Sequence, residues 1–359
     1  GQQSKKPNVL IIMVDQQFAD AMSCVIGTQY INTPHMDQLA GQGIRFTKAY
    51  SPNPLCVPMR TSMMTGRYPH ETGILANGKD NEGIDFSKYL FLGKIFKDAG
   101  YETAYYGKWH VPVPGNRKDI HGFDVFRQGI NAANPSANFI KQKHTKPFLT
   151  VASFLSPHEV CEWARKQELP GGPIAEIPPL EELPPLKTNF FAPENETDIM
   201  AYMRKSYHAN RAFPLADYTD ADYRRLIWGY YRLIERADGF IGEVMDALRE
   251  SGQEENTLVF FMSDNGGKLK YGADNGMLRK DKGSSYEGGW RVPFLMQWKG
   301  VTSPSVYVQP VNSLDVLATI ADLSGAALNP EKPLDGVNLI PYVTGAKQGA
   351  PHKAIFLRG

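Results

Sequence analysis

Cysteine is scarce in this chain: Cys24, Cys56 and Cys161 are the only three among 359 residues. Three cannot build the disulfide framework of a small secreted scaffold, and the odd number leaves at least one thiol outside any pair. Long apolar runs are missing too. Val9–Val14 and Leu258–Met262, the longest, fall far short of the roughly 18 residues of a membrane span. Neither charge sign dominates. With 39 Lys+Arg against 38 Asp+Glu the formal net charge is +1, which leaves no global footprint for nucleic acid or an anionic membrane. Any bound anion must therefore be held by a local cluster. Residues 1–7, GQQSKKP, carry no apolar stretch of leader length, a start that a mature secreted chain and a cytosolic one would share. There is no internal repeat and no low-complexity segment.

What is present is an ordinary globular balance, 42% hydrophobic and 21% charged, with 33 glycines and 26 prolines that call for many loops. Short apolar runs alternate with helical patterns, which indicates a doubly wound α/β sheet. Strands are expected at Val9–Val14, Thr103–Tyr106, Phe148–Leu155, Leu258–Met262 and Pro293–Trp298, with helices at His35–Gln42 and Tyr89–Ala99. The strongest helix is Asp222–Glu250, where Leu226, Tyr230, Leu233, Ala237, Ile241, Val244 and Leu248 recur at three- and four-residue steps. Residues 162–218 hold PGGP, IPPLEELPPL and FAPENET and keep no period; they read as a loop-rich insertion or lid.

Asp15 directly follows the first strand, His158 lies just past FLTVASFL, and Asp264-Asn265 just past LVFFM. Three polar positions thus leave the carboxyl ends of strands, the edge at which open α/β sheets bind ligands. The most informative stretch is LCVPMRTSMMTGRYPH, residues 55–70. Cys56 precedes Pro58, Arg60 and a short helix expected at Thr61–Thr65. A helix start and a neighbouring guanidinium both favour an anion at that sulfur. A buried structural cysteine in a proline turn is the competing reading of the same residues.

C-x-P-x-R followed by T-G-R resembles the signature of type I, formylglycine-dependent sulfatases of the alkaline phosphatase superfamily. NVLIIMVDQ, NTPHMDQLAGQGIRFTKAY, YYGKWH, SPH, SDNGG and KGSSYEGGWRVP resemble further blocks of that family, in the family's order, from Asn8 to about Tyr342. The resemblance implies an alkaline-phosphatase-like fold, a mixed, mostly parallel sheet sandwiched by helices. It places one catalytic domain over 1–342. Residues 343–359 then begin a C-terminal subdomain that is otherwise largely absent from this chain, and the run KAIFL reads as strand-like.

By the same resemblance Cys56 is oxidised to formylglycine by a formylglycine-generating enzyme. One hydroxyl of its hydrate attacks the sulfur of a sulfate ester; the second later expels sulfate and restores the aldehyde. Met59 stands where the family usually has Ser. Asp15, Gln16, Asp264 and Asn265 are the implied ligands of Ca²⁺, with Mg²⁺ as the other candidate; Gln16 replaces a second aspartate common in the family. Arg60 is expected to orient the formylglycine hydroxyls, Lys108 and Lys282 to contact sulfate oxygens, and His110 to act as base. His158, with Lys282, is expected to protonate the leaving alcohol. Asn77 is a candidate substrate contact, and Trp109, Trp163 and Trp290 either form a carbohydrate platform or pack the core.

The expected activity is release of inorganic sulfate from a sulfated small molecule or oligosaccharide, with a sulfated carbohydrate preferred. A phosphonate monoester or phosphodiester hydrolase of the same superfamily is the first alternative, because sulfate and phosphate are both tetrahedral anions. A non-catalytic binder of sulfated ligands and a cysteine hydrolase are the others. Neither a nucleic-acid partner nor a membrane span is expected, and the resemblance implies a periplasmic or secreted location, with residues 1–7 as a mature start.

Overall fold

The computed structural model describes residues 6–357 apart from 79–80, 82, 193, 209–217, 270–271 and 330. The side chains of 204, 207 and His208 also lie outside the described set. Ten strands are present among the described residues: β1 (Asn8–Val14), β2 (Ile44–Phe46), β3 (Ala49–Tyr50), β4 (Glu102–Gly107), β5 (Val125–Gln128), β6 (Phe148–Ser153), β7 (Thr257–Ser263), β8 (Phe294–Gln297), β9 (Ser305–Tyr307) and β10 (Val311–Asn312). Eight form one sheet in the order β5-β4-β6-β1-β7-β8-β2-β9, and β3 pairs with β10 in a small second sheet. All pairings in the large sheet are parallel except those of β8, which runs antiparallel to both β7 and β2. The expected mixed, mostly parallel architecture is the one observed.

β1 shows why its sequence is apolar without alternation. It lies between β6 and β7 with helices on both faces, so every side chain from Val9 to Val14 is buried. Val9, Ile11 and Met13 pack with Met59, Met63, Ile95, Phe96 and Ile320, from the helices Cys56–Thr65, Leu92–Asp98 and Asp315–Ser324. Leu10, Ile12 and Val14 face the other way, toward Ile234, Ile241 and Leu248 of the long helix Asp220–Glu250. That helix starts two residues before the expected Asp222. Thr219 and Asp222 form a reciprocal capping box there, the side chain of each bonding the other's backbone N–H.

Other boundaries shift for local reasons. The helix expected at Tyr89–Ala99 begins at Leu92, because Phe86–Lys88 makes a 3-10 turn and Phe91 remains extended. The helix expected at Thr61–Thr65 begins at Cys56 itself. Pro58 does not prevent this: it sits in the first turn, where a missing N–H leaves no intrahelical bond unmade. Residues 353–357 form no strand, and Phe356 is 69% exposed. No strand is aligned to pair with that segment among the described residues, so its apolar run has no ladder to join.

Residues 172–187 of the loop-rich region are strapped to the long helix and to the loop after β7. Arg224 donates to the carbonyls of Leu180, Leu183 and Pro184, Arg236 to those of Gly172 and Pro173, and Lys187 pairs with Asp274 at 2.7 Å. Replacing Ile11 by Ala removes a side chain buried between sheet and helices. Chemical denaturation is expected to show a loss of about 2–5 kcal/mol.

Candidate active site

The carboxyl ends of β1, β4, β6 and β7 converge, and each contributes polar groups. β1 leads into Asp15 and Gln16, β4 into Lys108, β6 ends at Ser153 and leads toward His158, and β7 leads into Asp264 and Asn265. Cys56 enters from the first residue of its helix and is 1% exposed. Its Sγ accepts from Lys282 Nζ at 2.8 Å and Asn265 Nδ2 at 3.4 Å, and its thiol points at Asp15 Oδ1, 3.8 Å away. A ring nitrogen of His158, an oxygen of Asp15 and Cys56 Sγ all lie within 4.8 Å of one another.

Arg60 ties the cluster together. Nε donates to Asp264 Oδ2 at 2.8 Å and Nη2 to Asp15 Oδ2 at 3.3 Å; Nη1 donates to Ser153 Oγ and the Lys108 carbonyl, both at 2.8 Å. The Lys108 ammonium pairs with Asp15 Oδ2, and Lys282 Nζ lies 3.7 Å from Asp15 Oδ1 and 3.1 Å from Gln16 Oε1. Two carboxylates therefore meet three cations in a buried volume. Burial works to raise the Asp15 carboxyl, but Lys108, Lys282, His158 and Arg60 outweigh it and hold it well below the usual range. Burial, with Asp15 beside it, raises Asp264. Burial works against the charged form of Lys282, yet Cys56, Asp15 and Asp264 keep its ammonium strongly protonated. The Cys56 thiol is pushed up by burial and by Asp15.

Both histidines are neutral at pH 7. Desolvation, followed by Lys108 and Arg60, lowers His110 to about 4. Burial takes His158 down to about 3, with Lys108 and Lys282 adding to it against the pull of Asp15. Gln16 and His110 both adopt left-handed backbone, at φ 70° and 51°. Such conformations cost free energy in residues other than glycine and persist where surrounding contacts enforce them. At Gln16 the enforcement is visible: its N–H donates to Asp264 Oδ1 at 3.2 Å, and its carbonyl accepts from Tyr230 Oη at 2.7 Å.

The residues suit a divalent cation. Asp15, Gln16, Asp264 and Asn265 are all buried and are linked through Arg60, Lys282 and the Gln16 N–H, and Asn265 Oδ1 has no hydrogen-bond partner among the described residues. An orphaned buried oxygen is costly unless something electropositive meets it. The surroundings of Cys56 suit an oxygen as well, since the Lys282 and Asn265 donors already point at its side-chain terminus.

Asn77 plays a part that spacing did not foretell. Its Oδ1 accepts from the Val57 N–H at 2.9 Å and so caps the helix that presents Cys56. Met59 is fully buried in the core, so the departure from the family's Ser lies outside the cluster. Trp109 and Trp290 are buried and Trp163 packs on Trp228, which makes packing the role of all three. Ser153 and Tyr230 went unnoticed in the sequence. Ser153 carried a signal, a hydroxyl closing an apolar strand at the ligand-binding edge; Tyr230 carried none, being one more large residue on an apolar helical face.

A buried cluster with more cations than carboxylates around Cys56, at the carboxyl edge of such a sheet, suits an anionic ester. The family comparison narrows the class. The family profile described as Sulfatase matches residues 7–138 and 131–326. The chain belongs to the sulfatase family, and it is a sulfuric ester hydrolase. It is 29% identical to mouse (Mus musculus) steryl-sulfatase over 426 residues, covering 99% of this chain and 68% of that protein. It is also 29% identical to the ulvan-active sulfatase of Formosa agariphila, covering 98% of this chain and 71% of the other. Among solved structures, Ps i-CgsB in complex with k-i-k-neocarrahexaose superposes with a TM-score of 0.72 at 26% identity, over 97% of this chain and 78% of that one.

Arg60→Gln is expected to leave two buried carboxylates without their shared cation. A stability loss of about 3–5 kcal/mol in urea titration is the expected outcome.

Proposed function

We propose that this sulfatase acts on a sulfated carbohydrate, with Cys56 converted to formylglycine and a Ca²⁺ ion held by Asp15, Gln16, Asp264 and Asn265; Mg²⁺ fits the same oxygen donors. The observation that carries this reading is the setting of Cys56 Sγ, buried among Lys282, Asn265 and Asp15 beside the orphaned Asn265 oxygen. The carbohydrate assignment is supported by the likeness to an ulvan-active sulfatase and to a sulfatase-fold protein holding a neocarrahexaose. The hydrated aldehyde supplies a nucleophilic oxygen with a second hydroxyl for its own release, and the cation supplies charge stabilisation for the sulfate oxygens.

The chain's own residues do the rest. Arg60 holds Asp15 and Asp264 in place and keeps their charge at the site. Lys108 and Lys282 turn from Asp15 toward sulfate oxygens when the anion enters, because the cluster has more cationic side chains than carboxylates. His110, at the rim, would take up a proton released from a formylglycine hydroxyl were that group present. Proton donation to the leaving alcohol falls to Lys282, the protonated group beside Cys56, while neutral His158 donates an N–H hydrogen bond to the same oxygen.

The test joins two measurements on one preparation: peptide mass spectrometry of the fragment containing Cys56, and sulfate release with Ca²⁺ present. An aldehyde at position 56 and faster turnover of aryl sulfate than of the matching aryl phosphate are expected. Cys56→Ala is expected to lower sulfate release by at least ~10³-fold with the fold intact; full activity in that variant overturns the reading. Gln16→Asp adds a carboxylate to the metal donors, and aspartate tolerates left-handed backbone. Calorimetry is expected to show Ca²⁺ binding about tenfold tighter than in the parent chain.

A further inference from the structure

A groove of about 690 Å³ opens beside the cluster, and Lys108 and His110 form its inner end. It is therefore continuous with the anion site, since Lys108 pairs with the same Asp15 that faces Cys56. Away from that end the walls change character. Val111, Pro112, Val113, Ile130 and Leu155 make its lining mostly apolar, and Gln128 supplies an amide. Lys108 is the one charged side chain among the described lining residues, and the sulfate at the anion end draws on that charge. Ile130 is 40% exposed, an apolar surface left to water until a ligand covers it.

We propose that this groove receives the ring bearing the sulfated oxygen, seats its C–H face on Val111, Pro112, Ile130 and Leu155, and selects against a second anionic group on that ring. The proposal rests on the functional reading above and narrows its substrate class to singly charged leaving groups. The physical reason is one of unequal costs. A pyranose or aryl face gains by displacing water from an apolar wall. A second sulfate or a carboxylate in the same place loses its hydration and meets no cation, so it is rejected.

The experiment uses the full chain with Cys56 converted and two aryl esters as probes: 4-nitrophenyl sulfate and its 3-carboxylated analogue. For the wild-type chain kcat/KM is expected to be about tenfold lower for the carboxylated ester. Ile130→Lys is expected to recover most of that difference by lowering KM for the carboxylated ester, with kcat changed less than about twofold. Ile130→Asp is expected to raise KM for 4-nitrophenyl sulfate about five- to tenfold. The inhibition constant of inorganic sulfate, which fills only the anion end, is expected to stay the same in both variants and reports an intact site. Equal kcat/KM for the two esters, or Ile130 variants that leave both KM values unmoved, overturns the groove assignment alone. Hydrolysis of neither ester by the converted protein overturns the underlying reading of the site instead.

Discussion

The guanidinium of Arg60 is the group on which the arrangement of this site depends. It is 1% exposed and spans the carboxylates that emerge from two neighbouring strands, Asp15 after β1 and Asp264 after β7. Parallel pairing brings these strand ends level, so two negative charges arrive side by side in a volume closed to water. Left alone they would repel, and at least one would take up a proton. Arg60 opposes this with two of its nitrogens, although burial and Asp15 still leave the Asp264 carboxyl raised, and it uses the third to hold Ser153 and the Lys108 carbonyl, which fixes the ends of β6 and β4 as well. Its planar fork makes these bonds in fixed directions, which an ammonium could not reproduce.

The electrostatic state of the cluster follows from that clamp. With Arg60 committed to the carboxylates, Lys108 and Lys282 bring further positive charge that has no dedicated acid of its own beyond Asp15. Burial amplifies the effect, since water cannot screen it. Desolvation first, and the same positive field in addition, disfavour the charged forms of His110 and His158. A site with surplus cations is prepared for a tetrahedral anion. It is poorly suited to a cysteine acting as a thiolate, because burial and Asp15 both push the Cys56 thiol up.

Much of the framework was legible in the residues. Unbroken apolar runs marked β1, β6 and β7 because strands covered on both faces need no polar side. Asp15, His158 and Asp264-Asn265 were recognisable as site residues because each closely follows such a run. The capping box at Thr219 and the full length of the Cys56 helix were less visible. Those boundaries depend on groups that meet only locally in space, such as the Asn77 oxygen reaching the Val57 N–H across 20 positions. The short strands β2, β9 and β10 carry too few residues for any period to show. They exist because neighbours supply hydrogen-bond partners. The reverse holds for 353–357, where a strand-like run finds none.

Which residues gather at the strand ends was largely legible in the sequence: strand-end position points to Asp15, His158, Asp264 and Asn265, and the likeness to sulfatase motifs points to Cys56, Arg60, Lys108 and Lys282, all of which the fold brings into one cluster. How they are charged, and what else they do, was decided by the tertiary structure. A histidine's proton affinity, an asparagine's choice between substrate and helix cap, and the apolar wall beside Lys108 all depend on groups far apart in the chain. Burial and field are properties of a packed volume, and a linear order of residues does not contain that volume.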